Sequence, residues 1–230
     1  MRPLVSPGAG PIPGVPSTQP TNLFRFGGIT LYSTQCFAAG TALANTQSRI
    51  FTTPLGQNGQ GFNFALTRTE TNLKEGGRIP SGQAYDVYGV ATQVLGGDAN
   101  VGTAVAGQLD EPFNDSVATV QALTNVVNTG VLQWDFTQTV VDICPIMLAG
   151  AGGGVYGAIA QNAAGANSGA MNNGNGGIWM YRKHPVALPG STTFAILITF
   201  GSRAAAIPAG FSVAVRVVLL GYYKSVIEIG

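Results

Sequence analysis

Alternating hydrophobic and polar positions dominate the last third of the chain and predict two β-strands. They lie in residues 191–200, STTFAILITF, and residues 210–229, GFSVAVRVVLLGYYKSVIEI, with a bend expected at Gly221. The residues predicted to share one face are Phe194, Ile196, Ile198 and Phe200 in the first strand, and Phe211, Val213, Val215, Val217 and Leu219 in the second. The opposite faces are also fairly apolar, which is typical of strands that are covered on both sides.

Shorter stretches upstream repeat this period of two. The further predicted strands are 22–32, 48–53, 61–69, 83–95, 131–136 and 139–148. The glycine pair in 22–32 predicts a bulge or bend, and Pro145 predicts an edge position or a break. The sets predicted to share a face are Phe62, Phe64 and Leu66; Tyr85 and Val87, opposite Asp86, Tyr88 and Val90; and Leu132, Trp134 and Phe136.

One segment has helical spacing instead. Residues 114–130 offer Asn114 or Asp115 as an N-cap and Gly130 as a stop. About ten strands and one helix, with Gly/Pro turns and no βαβ rhythm, predict an all-β sandwich or barrel. Residues 1–22 precede the strands as a Pro/Gly-rich arm, because prolines at 3, 7, 11, 13, 16 and 20 favour extended backbone. The arm is either a linker or a segment that orders against neighbouring subunits.

Composition changes the picture of the surface. Only 9% of the 230 residues are charged, and 33 are glycine, whereas soluble domains usually carry about 25% charged residues. Few charges leave a free surface poorly protected against association, so copies of the chain or another partner are expected to cover it. The formal net charge of +1 and the scattered basic residues argue against nucleic-acid binding.

Candidate chemistry is sparse. The stretch GGGVYG at 152–157 matches a dinucleotide fingerprint, but no helix pattern or acidic residue follows it, so a glycine-rich loop is predicted. His184 is the only histidine and lacks a nucleophile motif nearby. Cys36 and Cys144 have no metal or redox spacing, and either free buried thiols or a pair is possible. The sequence predicts no enzyme, cofactor or metal.

Charge concentrates in one place, between Arg68 and Asp86, where the signs alternate and nearly cancel. The glycines and proline of KEGGRIPSG predict a turn that leads into the strand beginning near Gln83. A polar loop that forms ion pairs with neighbouring subunits or faces solvent is therefore expected. The predicted inter-subunit contacts are Arg68, Glu70, Lys74, Glu75 and Arg78 of this loop, and Pro11, Pro13 and Pro16 of the arm.

Three stretches resemble the jelly-roll major capsid proteins of tailless icosahedral bacteriophages. They are TETNLKEGGRIPSGQAYDVYGV (69–90), VVNTGVLQWDFTQTVVDICPIMLAG (126–150) and residues 184–229 with their two closing strands. The resemblance covers under half of the chain. It implies a single jelly roll with elaborated loops over residues 23–230, one short helix and an N-terminal arm over 1–22.

The same resemblance implies a function. The chain would be a major capsid subunit of the virion, made in the host cytoplasm, without catalytic activity. Its partners would be copies of itself in trimeric or hexamer-like capsomers, together with minor capsid proteins or an internal membrane. Two alternatives stay open: a trimeric receptor- or glycan-binding spike or fibre head, and a jelly-roll enzyme acting on glycans through Asp135 and Asp142.

Overall fold

The fold is all-β with one α-helix in the part of the chain that the computed structural model describes. These residues are 23–98, 117–136, 139–153, 155–156, 159–161, 167–169, 172–173, 177–209 and 211–227. The strands are β1 (Leu23–Gly28), β2 (Leu31–Phe37), β3 (Gln47–Ile50), β4 (Gln83–Asp98), β5 (Gly130–Phe136), β6 (Thr139–Pro145), β7 (Gly150–Gly153), β8 (Val155–Tyr156), β9 (Ile159–Gln161), β10 (Asn167–Gly169), β11 (Asn172–Asn173), β12 (Trp179–Met180), β13 (Val186–Leu188), β14 (Ala195–Phe200) and β15 (Phe211–Ile227). The predicted arm, with Pro11, Pro13 and Pro16, lies outside them.

The first sheet is built on β4 and β15, which pair antiparallel over almost their whole length. β2 and β1 lie end to end along the other edge of β15. The outer edge of β4 is shared by β13, β12 and β7, of which β7 is parallel to it. The predicted bend at Gly221 is confirmed as a register shift after Leu220.

The second sheet has the order β3-β14-β5-β6 and is antiparallel throughout. The strands predicted over 191–200, 131–136 and 139–148 are confirmed as β14, β5 and β6; β14 and β6 are shorter than predicted, and β5 begins one residue earlier. β6 is the outermost strand and ends at Pro145, as the proline predicted. Beyond it, Ile146–Leu148 form one 3-10 turn.

The core lies between the two sheets. Val213, Val215 and Val217 of β15 and Ile196 and Ile198 of β14 are all fully buried in one cluster. The rings of Phe37 in β2 and Phe200 in β14 meet edge to face across the sheets, 5.4 Å apart between centroids. Burial of each such large apolar side chain contributes about 1.5–3 kcal/mol. Apolar residues repeating at every second position on both sheets therefore hold the fold together.

The helix α1 (Val117–Thr129) confirms the predicted helix within the described residues. The helical spacing predicted one apolar face of Val117, Val120, Leu123 and Val127; Leu123 and Val127 are buried in the main core, and Val126, which was not predicted there, is buried with them. The predicted caps Asn114 and Asp115 lie outside the described residues. The glycine-rich stretch predicted as a loop contains short strands instead: β7 extends the first sheet, and β8–β11 and β9–β10 form two ribbons.

The predicted orientation of Val90 in β4 is wrong. Val90 was expected to face away from Tyr85 and Val87, yet all three are buried in the core. The pairing with β15 shifts register between Val87 and Gly89, so that Tyr88 is the extra residue of a bulge and the alternation reverses after it.

The predicted strand at 61–69 is absent, and residues 51–82 contain turns and single bridges but no strand. We call residues 51–82 the covering segment. Phe62 and Leu66 are buried, as their spacing predicted, but in a second small cluster with Cys36 and Ala214. The period of two therefore arises from turns packed on the sheet rather than from extended backbone.

Candidate inter-subunit surface

The covering segment closes the free edge of β2. The Cys36 amide donates to the Gln60 carbonyl at 2.8 Å, and the Asn72 amide donates to the Tyr32 carbonyl at 3.3 Å. Gln60 adds side-chain bonds, because its Nε2 donates to the Thr34 carbonyl at 2.6 Å. A sheet edge with open N–H and C=O groups would otherwise be available to another strand. This edge of the first sheet is thus occupied by the chain itself.

The charged loop, residues 68–78, is the last part of the covering segment. Glu70 is 1% exposed, and its Oε2 accepts from the Thr67 amide and the Thr67 hydroxyl, both at 2.7 Å. The carboxylate therefore closes a turn inside the subunit. Of the predicted contacts, Glu70 is thus placed in the interior, whereas Arg68, Lys74 and Arg78 are exposed and Glu75 is half-buried.

Glu75 and Arg78 form an ion pair on the outside of this loop. The Arg78 Nε donates to the Glu75 Oε2 at 2.6 Å, and both side chains are substantially exposed. The Lys74 ammonium forms no ion pair within the described residues. These three charges are available to another molecule, as predicted for a polar loop, while their role between subunits stays a prediction.

We expect the triple variant Lys74→Ala, Glu75→Ala, Arg78→Ala to keep the fold and to weaken self-association. An exposed ion pair contributes only about 0.2–1 kcal/mol, so the free energy of unfolding should change by about 1 kcal/mol or less. Urea denaturation followed by circular dichroism measures this change. Glu70→Ala is the comparison, and it should cost about 1–3 kcal/mol because it removes the buried carboxylate that accepts both hydrogen bonds from Thr67. An unfolded triple variant would contradict the assignment of Lys74, Glu75 and Arg78 to an exposed polar loop.

The outer face of the first sheet carries a second group of cations. A shallow hollow of about 370 Å³ there is lined by Thr30, Tyr32, Arg68, Thr69, Gln93, Arg216 and Val218. Arg216 donates to the Gln93 Oε1 at 2.9 Å and to the Thr69 carbonyl at 2.8 Å, both neutral acceptors. Within the described chain Arg216 has no carboxylate partner. This hollow is a polar contact surface with positive charge.

Within the described part of the chain, no other strand covers the outer edge of β6, and two of its exposed residues are valines. Val140 and Val141 are 53% and 47% exposed, and Met147 and Leu148 just beyond the strand are also exposed. β5 is the only described strand that pairs with β6. Proteins that stay monomeric usually protect such an edge with lysine, proline or a covering loop. Here Pro145 ends the strand, but the two valines leave its middle open to pairing.

A second apolar patch lies on the first sheet, around β12. Ile178, Trp179 and Met180 are exposed, and Gly89 of β4 leaves room for Ile178 and Met180 beside it. Tyr222 is 53% exposed, and its ring packs edge to face on Tyr88. Exposed apolar groups gathered in one patch indicate a contact surface rather than scattered surface residues.

The residues considered for chemistry have other roles in the structure. Asp135 pairs with Arg49, and Asp142 accepts from the Gln133 Nε2 at 2.7 Å, so each carboxylate has a partner on its own sheet. His184 is exposed. No group of three or more metal-ligating side chains occurs among the described residues.

The two cysteines are free and buried in different clusters. Burial raises the pKa of the Cys36 thiol to about 12 and that of the Cys144 thiol to about 11. Both therefore stay protonated at neutral pH and are poor nucleophiles and poor metal ligands. Of the two possibilities that the sequence left open, the structure shows free thiols.

Comparison with known proteins adds no relative, since no family model, no curated protein and no solved structure matches this chain. None of the helices in the described part of the chain is long and apolar enough to cross a membrane. Sequence reasoning predicted an edge or a break at Pro145 but missed the exposure of Val140 and Val141, because that exposure depends on which strand is outermost. The proline at 145 was the signal that pointed to it.

Proposed function

We propose that the chain is a jelly-roll protein. Its main strands, numbered in chain order, are β1/β2, β3, β4, β5, β6, β12/β13, β14 and β15. The first pairs with the eighth, the second with the seventh, the third with the sixth and the fourth with the fifth. This is the pairing of a long antiparallel ribbon wrapped into two facing sheets, which describes a jelly roll. The helix α1 fits as part of the connection between the third and fourth strands.

The function that we infer is that of a major capsid subunit, which assembles with copies of itself into an icosahedral shell. The observation that carries it is the open apolar edge of β6, with Val140 and Val141 about half exposed. A second apolar patch around Trp179 and a chain with only 9% charged residues support it. A subunit of a shell needs several distinct surfaces of this kind, because it contacts more than one neighbour.

The partners follow from the same surfaces. Copies of the chain in trimeric or hexamer-like capsomers would cover the apolar edge, and minor capsid proteins or an internal membrane would meet the rest. A formal net charge of +1 gives little attraction for nucleic acid. The protein would then be made in the host cytoplasm and reside in the virion, without catalysis.

Electron microscopy of the purified protein tests this function, and we expect closed or hexagonally tiled particles. Because apolar and main-chain contacts would hold them, the particles should survive about 1 M salt, at which charges are screened within about 3 Å. Sedimentation velocity at low and high salt measures the fraction that stays assembled. A strictly monomeric protein under all conditions, or particles that dissociate in salt alone, would contradict the proposal.

A trimeric spike or fibre head is the second candidate, and one observation favours it. Trp179 and Tyr222 are exposed aromatic side chains on the first sheet, and aromatic rings are common in receptor- and glycan-binding surfaces. A spike stops at the trimer, whereas a shell subunit continues to larger assemblies. The molar mass of the largest stable assembly therefore separates the two candidates.

A further inference from the structure

A cavity of about 550 Å³ opens between the first sheet and the charged loop. Its floor includes Gly27 of β1, Tyr223 of β15 and Tyr85 of β4, which are direct neighbours across three paired strands. Its lining is Gly27, Ile29, Leu31, Asn72, Leu73, Lys74, Arg78, Ile79, Pro80, Gln83, Tyr85, Tyr223 and Ser225. The volume lies within the range of about 300–1,000 Å³ that is usual for small-molecule sites.

The body of this cavity is apolar. Ile29, Leu31, Leu73 and Ile79 supply aliphatic walls, and Tyr85 supplies an aromatic ring. The Tyr85 hydroxyl is engaged with backbone, because it lies 2.8 Å from the Leu219 carbonyl oxygen, which accepts from it. The phenol therefore presents its ring rather than its polar end to the cavity, and an apolar portion of a ligand would match it.

The charges around the cavity have one sign. Lys74 and Arg78 belong to the described lining, and no aspartate or glutamate does. Glu75 neutralises Arg78 through their ion pair, which leaves the Lys74 ammonium without an anionic partner in the described chain. Gln83 and Ser225 add neutral hydrogen-bonding groups. The cavity thus combines an apolar body with one uncompensated positive charge.

We propose that this cavity binds an amphiphilic anion, with its apolar chain beside the partly exposed Ile29 and Leu31 and its anionic head at Lys74. A carboxylate or phosphate head on a hydrocarbon chain has this chemistry, either as a free fatty acid or as an anionic phospholipid. The cavity shares no residue with the open edge of β6, so ligand binding and pairing at that edge are tested by different variants, although Lys74 and Arg78 are also predicted inter-subunit contacts.

Gly27 and Gly28 allow a matched test. A Cβ added to either residue meets no other atom within 4 Å, so neither backbone position is closed to a side chain. Gly27 pairs with Tyr223 and lines the cavity, whereas Gly28 pairs with Tyr222 on the opposite face of the sheet. Gly27→Phe fills the cavity, and Gly28→Phe adds the same aromatic group to the same strand outside it. Phenylalanine is also favoured over glycine in strands.

The experiment is isothermal titration of the full chain with decanoate, and with decanol as the neutral analogue. We expect saturable binding of decanoate, a loss of affinity of about tenfold or more in Gly27→Phe from overfilling, and wild-type affinity in Gly28→Phe. Lys74→Gln should weaken decanoate by about two- to fivefold, as for an exposed ion pair, and leave decanol unchanged. The control Lys183→Gln, at an exposed lysine outside the cavity, should leave both affinities unchanged.

Co-sedimentation with vesicles of phosphatidylglycerol identifies the source of the ligand. Vesicle binding that is lost in Gly27→Phe and kept in Gly28→Phe assigns an anionic lipid, whereas decanoate binding without vesicle binding assigns a free amphiphile. No saturable binding of decanoate to the wild type overturns the proposal. Equal affinities of Gly27→Phe and the wild type overturn it as well, and neither result bears on whether particles form.

Discussion

Replacing Gly61 by alanine is expected to destabilise the protein by about 2–5 kcal/mol, through left-handed backbone strain and overpacking together. Gly61 has a φ of +78°, and a Cβ there would lie 1.9 Å from the carbonyl oxygen of Cys36. That oxygen belongs to β2, whose position is set by seven paired residues of β15. Because the sheet cannot yield, the covering segment would have to move away from it.

The reason for the large effect is the close approach of two backbones. The Cys36 amide donates to the carbonyl of Gln60, the residue just before Gly61. Movement of this turn would break that bond and would expose Phe62, which is 5% exposed in the second cluster. The free energy of unfolding, measured by urea denaturation of the wild type and the variant, checks the expectation.

Gly56→Ala is the matched control for Gly61→Ala. Gly56 lies in the same segment with a similar φ of +83°, but a Cβ there meets nothing within 4 Å. The substitution should therefore lower the free energy of unfolding only by the backbone strain, about 1–2 kcal/mol. Equal destabilisation by the two substitutions would mean that the contact with β2 contributes nothing, and that the covering segment does not hold this edge.

The double variant Val140→Lys, Val141→Lys is expected to abolish large assemblies and to leave the subunit folded. Both side chains are about half exposed on β6, so the change removes little of the core. If another subunit covers this edge, two lysines would be buried without partners, which costs several kcal/mol per charge. Sedimentation velocity and electron microscopy measure the assembly, and circular dichroism measures the fold.

Val140→Thr, Val141→Thr is the control for this variant. Threonine keeps the β-branched shape and adds no charge, so strand pairing at the edge should survive. We expect particles from the threonine variant and dispersed subunits from the lysine variant. Normal particles from the lysine variant would place β6 outside the contacts between subunits, and the proposed role of this edge would then be wrong.

Some elements follow from local pattern because the pattern has a single solution. In β14 and β5, the residues predicted inward, such as Ile196 and Leu132, are fully buried. In β5 the alternation leaves one face that can be fully buried, and a slip of one residue would expose it, whereas β14 also buries Ala195 and Leu197 on its opposite face. The helix α1 is equally determined, since helical spacing of its valines and Leu123 defines one apolar face.

Other features depended on contacts between distant residues. The alternation at 61–69 did not distinguish a strand from a covering turn, because Phe62 and Leu66 would be buried in either case. Val90 faces the core only because of the bulge at Tyr88, whose position is set by pairing with β15. In the sequence, Glu70 is one of several charged residues of the loop. Its burial depends on the turn that closes around it.

The candidate site was anticipated in part. The charged loop between Arg68 and Arg78 was recognised from its composition, and its exposed charges lie where a polar loop was expected. The cavity behind that loop could not be predicted, since Gly27, Tyr85 and Tyr223 are far apart in sequence and meet only through strand pairing. Pro145 indicated an edge or a break near β6, but the exposure of Val140 and Val141 depends on β5 and β14 lying on the other side of that strand.

By itself, the sequence determined that this protein is all-β, where most of its strands run and which of their faces are buried. Those properties are local, because the period of side chains along a strand fixes which residues lie together. The tertiary structure alone decided the order of the strands, the closure of the β2 edge, the exposure of Val140 and Val141 and the cavity at Lys74. Each of these depends on which distant backbones form hydrogen bonds with one another, and a local hydrophobic pattern does not specify that choice.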